Sequence, residues 1–334
     1  MKIIYLFVCL FSLSNCNYAM DKYKWLPTEC APKNYPVRIL KGDLIYENGE
    51  SIFIPDNRIV NNGWGEIGST LLVGDEIKPI PHKLTITWFS YTEDKFYQGN
   101  FDLPYDKITT LFKNGFVRLD NNAHVTYDRI VIGLAPGGVV TIWLNGSGAS
   151  TEVIQLKANE TEIEWSSVNK NPSITRKQYI ETNLKYELSP DTLIALKKYG
   201  IPFGLWENKY RSTYHWKPIL IGHAIPTNFS ISYFDGESEY IRYNGEEQVT
   251  QNKKVVPKSL KLHYSNDLRK KYLILASFDE EEIFASFAKL SEAANQELKL
   301  QIEINSSDQS VKFFLKNDKN FLELLKCDTK IYSE

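Results

Sequence analysis

The chain has 334 residues, 43% hydrophobic and 24% charged, with a formal net charge of −2. This composition is that of an ordinary globular protein and excludes intrinsic disorder. No Lys/Arg block is long enough to track a phosphate backbone, so nucleic acid is excluded as a partner.

The first residues read Met1-Lys2, an apolar run from Ile3 to Phe11, then Leu13-Ser14-Asn15-Cys16. A short positive start, an apolar stretch too short to cross a bilayer and a cysteine at its end are the pattern of a lipoprotein signal. Residues 1–16 are therefore expected to be a signal peptide with Cys16 as the lipidation site. Asn15 is larger than the usual residue before the cut, so an ordinary cleavable signal, cut near Ser14 or Ala19, is one alternative and a retained anchor another. These readings place the protein in the cell envelope, as an outer-membrane lipoprotein facing the periplasm, or secreted to the periplasm if Cys16 is not lipidated. Asn17, in place of Asp, fits export to an outer membrane. Residues 17–34 are expected to form a short tether. No later segment reaches the roughly 18 apolar residues of a membrane span, so attachment would be by the N-terminal lipid alone.

With Cys9 in the apolar run and Cys16 acylated, Cys30 and Cys327 remain. In an oxidising compartment they could form a disulfide, or they could stay separate thiols. There is no CxxC and the five His are scattered, so no metal site is expected.

The body reads mostly as strands. Val37–Ile45 and Ser51–Ile54 flank Glu47-Asn48-Gly49, a hairpin turn by composition. Leu84, Ile86 and Trp88 alternate with polar residues on one strand face. Pro104 opens a helix with Ile108, Leu111 and Phe112 on one side and Gly115 at its end. Tyr127–Leu134 and Val139–Leu144 are strands joined by Ala135-Pro-Gly-Gly138, and strands are also expected at Thr151–Ala158 and Glu162–Trp165. The breaker-rich Asn169–Ser173 suggests a boundary between a β-rich domain, 35–168, and an α+β domain, 174–334. Helices are expected at Arg176–Glu187 and Pro190–Tyr199.

The second half echoes the first. Pro81-His-Lys-Leu-Thr-Ile-Thr-Trp88 aligns without gaps on Pro257-Lys-Ser-Leu-Lys-Leu-His-Tyr264, and a strand, a helix and two strands follow each. Asp279 with Glu282 predicts a capping box at the second helix. The expected fold class is α+β: mainly antiparallel sheets with a few packed helices, in two duplicated halves or in halves alike only because alternating strands look alike.

Trp88-Phe-Ser-Tyr-Thr-Glu-Asp-Lys-Phe-Tyr97, Phe101-Asp-Leu-Pro104, Gly133-Leu-Ala-Pro-Gly-Gly-Val-Val140 and Trp143-Leu144 resemble a family of bacterial envelope proteins known as domain of unknown function 2931. Tyr35-Pro-Val37, Gly63-Trp-Gly65, Leu205-Trp-Glu-Asn-Lys-Tyr-Arg211 and Tyr214-His-Trp216 extend the likeness over about residues 25–220. The resemblance implies a lipoprotein, in agreement with Cys16, and no activity. Because genes of this kind lie near type VI secretion phospholipase effectors in some genomes, it also implies an immunity role for some members.

The Ser90–Asp94 cluster with Asp102 and Asp106 could serve acid–base chemistry or bind a cation, and otherwise reads as a solvated loop. Gly146-Ser147-Gly148 lacks the GxSxG spacing, and Ala135–Gly138 precedes a strand where a phosphate loop would open a helix. His215 and His223 lack a third ligand. Trp206, Tyr210, Arg211, Tyr214 and Trp216 are residue types that dominate binding hot spots, or alternatively an aromatic core. The leading expectation is a non-catalytic envelope lipoprotein without cofactors that binds a protein partner, in concrete form an immunity protein against a secreted lipase toxin. Tyr91, Glu93 and Asp94, with the aromatic stripe, are the expected contact residues. An envelope hydrolase using Glu93, Asp94 and Asp102, or a structural lipoprotein of envelope assembly, are the alternatives.

Overall fold

The computed structural model describes residues 21–334 apart from 57, 71, 73, 119–121, 223, 243–252 and 292–296. Cys16, the signal peptide and His223 lie outside the described residues. The first half contains β1 (Lys22–Lys24), β2 (Leu26–Cys30), β3 (Val37–Ile45), β4 (Ser51–Phe53), β5 (Ile59–Val60), β6 (Ile77–Pro79), β7 (Lys83–Ser90), β8 (Lys95–Asp102), α1 (Tyr105–Asn114), β9 (Phe116–Val117), β10 (His124–Val125), β11 (Arg129–Ala135), β12 (Val139–Gly146), β13 (Ala149–Lys157) and β14 (Asn159–Thr161). Two helices follow, α2 (Arg176–Glu187) and α3 (Pro190–Tyr199). The second half contains β15 (Thr213–Ile221), β16 (Ile225–Tyr233), β17 (Ser238–Arg242), β18 (Lys253–Val255), β19 (Pro257–Ser265), β20 (Lys271–Ser277), α4 (Glu280–Leu290), β21 (Leu298–Ile304), β22 (Val311–Lys316), β23 (Phe321–Glu323) and β24 (Asp328–Ser333). The protein is α+β, with mostly antiparallel sheets and four α-helices among the described residues.

Local sequence explains the helix ends. Thr175 accepts from the Gln178 amide while Gln178 returns a bond to Thr175, a complete capping box at α2. Ser189 caps α3, Pro190 takes its first turn, and Gly200 closes it with φ 74°. At α4, Asp279 accepts from the Glu282 amide, but the Glu282 carboxylate turns away. It receives the Leu325 and Lys326 amides at 3.0 and 2.9 Å, so only half of the expected box forms and Glu282 ties the helix to the C-terminal segment.

Two expectations need correction. The stretch expected as a tether becomes strand from Lys22 onward, with Trp25 and Cys30 completely buried. The strand placed at Glu162–Trp165 lies earlier, at Asn159–Thr161, and Trp165–Ser167 is a 3-10 turn.

The halves repeat one topology. In the first, β14-β8-β7-β3-β4 form one sheet and β2-β11-β12-β13 another. In the second, β24-β20-β19-β16-β17 and β15-β21-β22-β23 stand in the same relation. The parallel pair β2–β11 has its counterpart in β15–β21. One bulge is shared as well: the β3–β7 register slips between Ile39 and Lys41 as β16–β19 does between Pro226 and Asn228, while a second slip at Ser232/Tyr233 belongs to β16–β19 alone. Ile108 and Phe112 on α1 are buried as Ile283 and Phe287 are on α4. Two further sequence pairs emerge from this superposition: Tyr23-Lys-Trp-Leu-Pro27 with Tyr214-His-Trp-Lys-Pro218, and Tyr46-Glu-Asn-Gly-Glu-Ser51 with Tyr233-Phe-Asp-Gly-Glu-Ser238.

A seam joins the halves. Ser150 of β13 pairs with Ser238 of β17, which merges two four- and five-stranded sheets into one of nine. The turn Tyr233–Glu237 plugs into the first half. A Cβ placed on Gly65 (φ 75°) would fall 2.5 Å from the Gly236 Cα, so the two backbones touch and neither position has room for a side chain. The Glu237 carboxylate accepts the Glu152 amide at 2.7 Å. Arg211 makes a two-pronged pair with Glu152, its Nη2 2.9 Å from Oε1.

Candidate functional site: an aromatic cleft at the seam

Segments from both halves and the connector between them surround a cleft of about 1390 Å³. The loop Pro32–Tyr35 and the loop Asn62–Ile67 come from the first half, residues 202–212 from the connector, and Phe234, Lys258 and Glu280 from the second. The walls are aromatic and locked by ring contacts. Trp64 stands edge-on to Trp143 with centroids 4.9 Å apart, and Tyr35 edge-on to Trp206 at 4.8 Å. Tyr210 packs against Phe234 and stacks on Phe284. Its hydroxyl donates to Glu280 at 2.8 Å, and Lys209 reaches the same carboxylate at 3.0 Å. Burial raises the Tyr210 phenol above its ordinary range, with the Glu280 charge adding to the shift. Across the cleft, Lys258 approaches Glu66 at 3.4 Å.

The rim is the unusual part. No residue of α3 is buried, and Ile194 and Tyr199 are 64% and 75% exposed. Beyond the Gly200 cap, Phe203 is 63% exposed at the mouth of the cleft. A second recess of about 310 Å³, lined by Leu196 and Tyr199, shares Asn34, Tyr35 and Pro202 with the main cleft. The shared residues make the two recesses neighbours, with the exposed rings of Tyr199 and Phe203 beside them, the kind of surface that excludes water when covered.

Of the residues expected to contact a partner, Tyr91, Glu93 and Asp94 do not line the cleft. Tyr91 is buried, with its ring stacked near Tyr179. Glu93 accepts from the Ser90 hydroxyl and the Tyr97 hydroxyl at 2.7 Å each, and from the Gly137 amide at 2.9 Å. It thus fixes the turn after β11, on whose Gly137 the Phe203 ring rests. Asp94 pairs with Arg176, whose guanidinium lies over Phe89, Phe96 and Trp165. Asp102, at the far end of β8, pairs with Lys83. The three carboxylates therefore face three separate partners and do not converge.

Trp206 and Trp216 are 2% exposed, and Tyr210 is buried as well. Tyr214 packs on Phe287, and Arg211 belongs to the seam. Of the aromatic stripe, Trp206 and Tyr210 do line the cleft, as its wall rather than as projecting anchors. Sequence reasoning passed over Tyr199 and Phe203. The signal available was an apolar helix followed by Gly200-Ile-Pro-Phe203, a stop that leaves no following strand to cover it.

Cys30 and Cys327 are both free, the second of the two alternatives that their sequence positions left open. Each packs in or against the core of the second half, and burial pushes both thiols up to about 12. Among the described residues, no group of three or more His, Cys, Asp or Glu could hold a metal ion, and no helix is long and apolar enough to cross a membrane.

Mostly antiparallel sheets, with an open cleft where the two halves meet, define an α+β protein. The family described as "Protein of unknown function (DUF2931)" matches residues 13–204, and the chain belongs to that family. Comparison with curated proteins and with solved structures gave no match.

Proposed function

We propose that the protein is a cell-envelope lipoprotein, anchored through Cys16, that holds a protein partner in the cleft between its halves. In concrete form it is an immunity protein that seats part of a lipase toxin delivered to the periplasm. The observation that carries this reading is the solvent-exposed rim of Tyr199 and Phe203 beside an aromatic-walled cleft. Large exposed aromatics around a recess lose little entropy on binding and supply most of the energy of an interface. The cleft's two carboxylates are each tied to a lysine, Glu280 to Lys209 and Glu66 to Lys258, which suits recognition better than turnover. The hydrolase alternative draws no support from Glu93, Asp94 and Asp102, because each is satisfied separately.

The test is to express a lipase effector encoded beside this gene in the periplasm, with this protein or with its Tyr199→Ser/Phe203→Asp variant. Protection by the parent and its loss in the variant, at equal protein levels, is the expected result. Killing that the parent leaves unchanged would reject the immunity role.

A further inference from the structure

The turn that plugs the seam exists twice, and one copy is unused. In Tyr233–Ser238 the Tyr233 amide donates to the Glu237 carbonyl, the Gly236 amide to the Tyr233 carbonyl, and the Glu237 amide to the Asp235 side chain. In Tyr46–Ser51 the Tyr46, Gly49 and Glu50 amides make the same three bonds, the last to Asn48. The strand registers match as well: Ile45 faces Ser51 as Ser232 faces Ser238. Yet the second-half turn is seated against Gly65 and Trp143, while Glu47–Ser51 is exposed and a Cβ on Gly49 would meet nothing within 4 Å.

The socket is duplicated too. β13 receives the plug, with Ser150 bridging Ser238 and the Glu152 amide donating to Glu237. Trp143 opposes Glu152 on β12–β13, and Phe314 opposes Glu323 on β22–β23. Phe321 and Glu323 therefore occupy the places of Ser150 and Glu152. Glu152 is held by Arg211, and Glu323 by Lys312 at 3.0 Å. β23 ends its sheet, β4 ends the opposite one, and neither outer edge is paired among the described residues. Phe321 and, just beyond the strand, Leu325 are 70% and 76% exposed.

We infer that two copies of this chain join head to tail, the Tyr46–Ser51 plug and β4 edge of one copy docking on β23 of the next. The contact repeats the junction already built between the halves: Glu50 would accept the Glu323 amide of the neighbour, as Glu237 accepts that of Glu152. Such a contact is heterologous, so each copy keeps a free plug or a free socket for the next, and assembly goes beyond the dimer to open chains or, where the rotation closes, to rings. Tethering to a membrane surface would raise the local concentration and favour it.

The test uses the full mature chain with Cys16→Ser, followed by sedimentation velocity over a range of concentrations. The parent should show an average mass that rises beyond the monomer with concentration. Glu50→Lys breaks the plug and Phe321→Asp breaks the socket, so each alone should stay monomeric. Mixed in equal amounts, they should form a dimer and stop there, since one intact plug meets one intact socket. That rescue also shows that both variants are folded. A parent that remains monomeric at the highest concentration, or single variants that associate like the parent, would overturn the inference. A mixture that is not rescued while both variants keep the parent's unfolding midpoint would do so as well.

Discussion

At the scale of single residues, Asp235 reports on the seam. Burial, with the Glu237 charge second, pushes its carboxyl up to about 7, and Glu152 adds while Arg211 opposes. The unfolded chain releases that proton near the ordinary value of about 3.9. The folded state thus holds more protons between those values, and its stability should fall as pH rises from about 4 to about 7. Asp235→Asn should flatten this slope, because Asn48 already makes the equivalent turn bond in the first half. Urea midpoints at pH 5 and pH 8 measure the difference, and an unchanged slope in the variant would assign it to other groups. The cysteines give a second residue-scale expectation. Denaturation without reductant followed by alkylation should add one label at each of Cys30 and Cys327, and neither should react readily in the native protein.

At the scale of elements, the ends of α2 and α3 were legible because Thr175, Ser189-Pro190 and Gly200 act locally. The Lys22–Cys30 strands were not, because β2 pairs with β11, a hundred residues on, and no local residue announces that. The aromatic stripe kept two readings for a related reason. Trp, Tyr and Arg suit a core as well as a hot spot, and only the packing of Trp206 under Tyr35 decides. Trp206→Ala should accordingly destabilise the fold by about 3–5 kcal/mol, as loss of a buried indole does. Phe203→Asp should leave the unfolding midpoint nearly unchanged, as expected of an exposed rim residue. Gly65→Ala forces a methyl into the Gly236 backbone and should cost roughly 1–3 kcal/mol at the seam.

At the scale of the molecule, the repeat was partly visible. The aligned stretches at Pro81 and Pro257 carried it, because both open a strand and alternate apolar with polar residues. The hairpin and Tyr-x-Trp-x-Pro pairs stayed hidden because the first half is longer between equivalents: Tyr46 to Pro81 spans 35 residues against 24 from Tyr233 to Pro257, so no single gap-free alignment brings the pairs together. The family match ends at residue 204, before the second copy of the topology begins at β15. The cleft exists only because the copies meet, so its position could not be read from either half. Hydrogen exchange of the protein with and without the lipase toxin proposed as its partner tests this placement most directly. Protection concentrated in Pro32–Tyr35, Asn62–Ile67 and Pro202–Ser212 is the expected result. Protection confined to Tyr91–Tyr97, with the cleft segments unchanged, would contradict it.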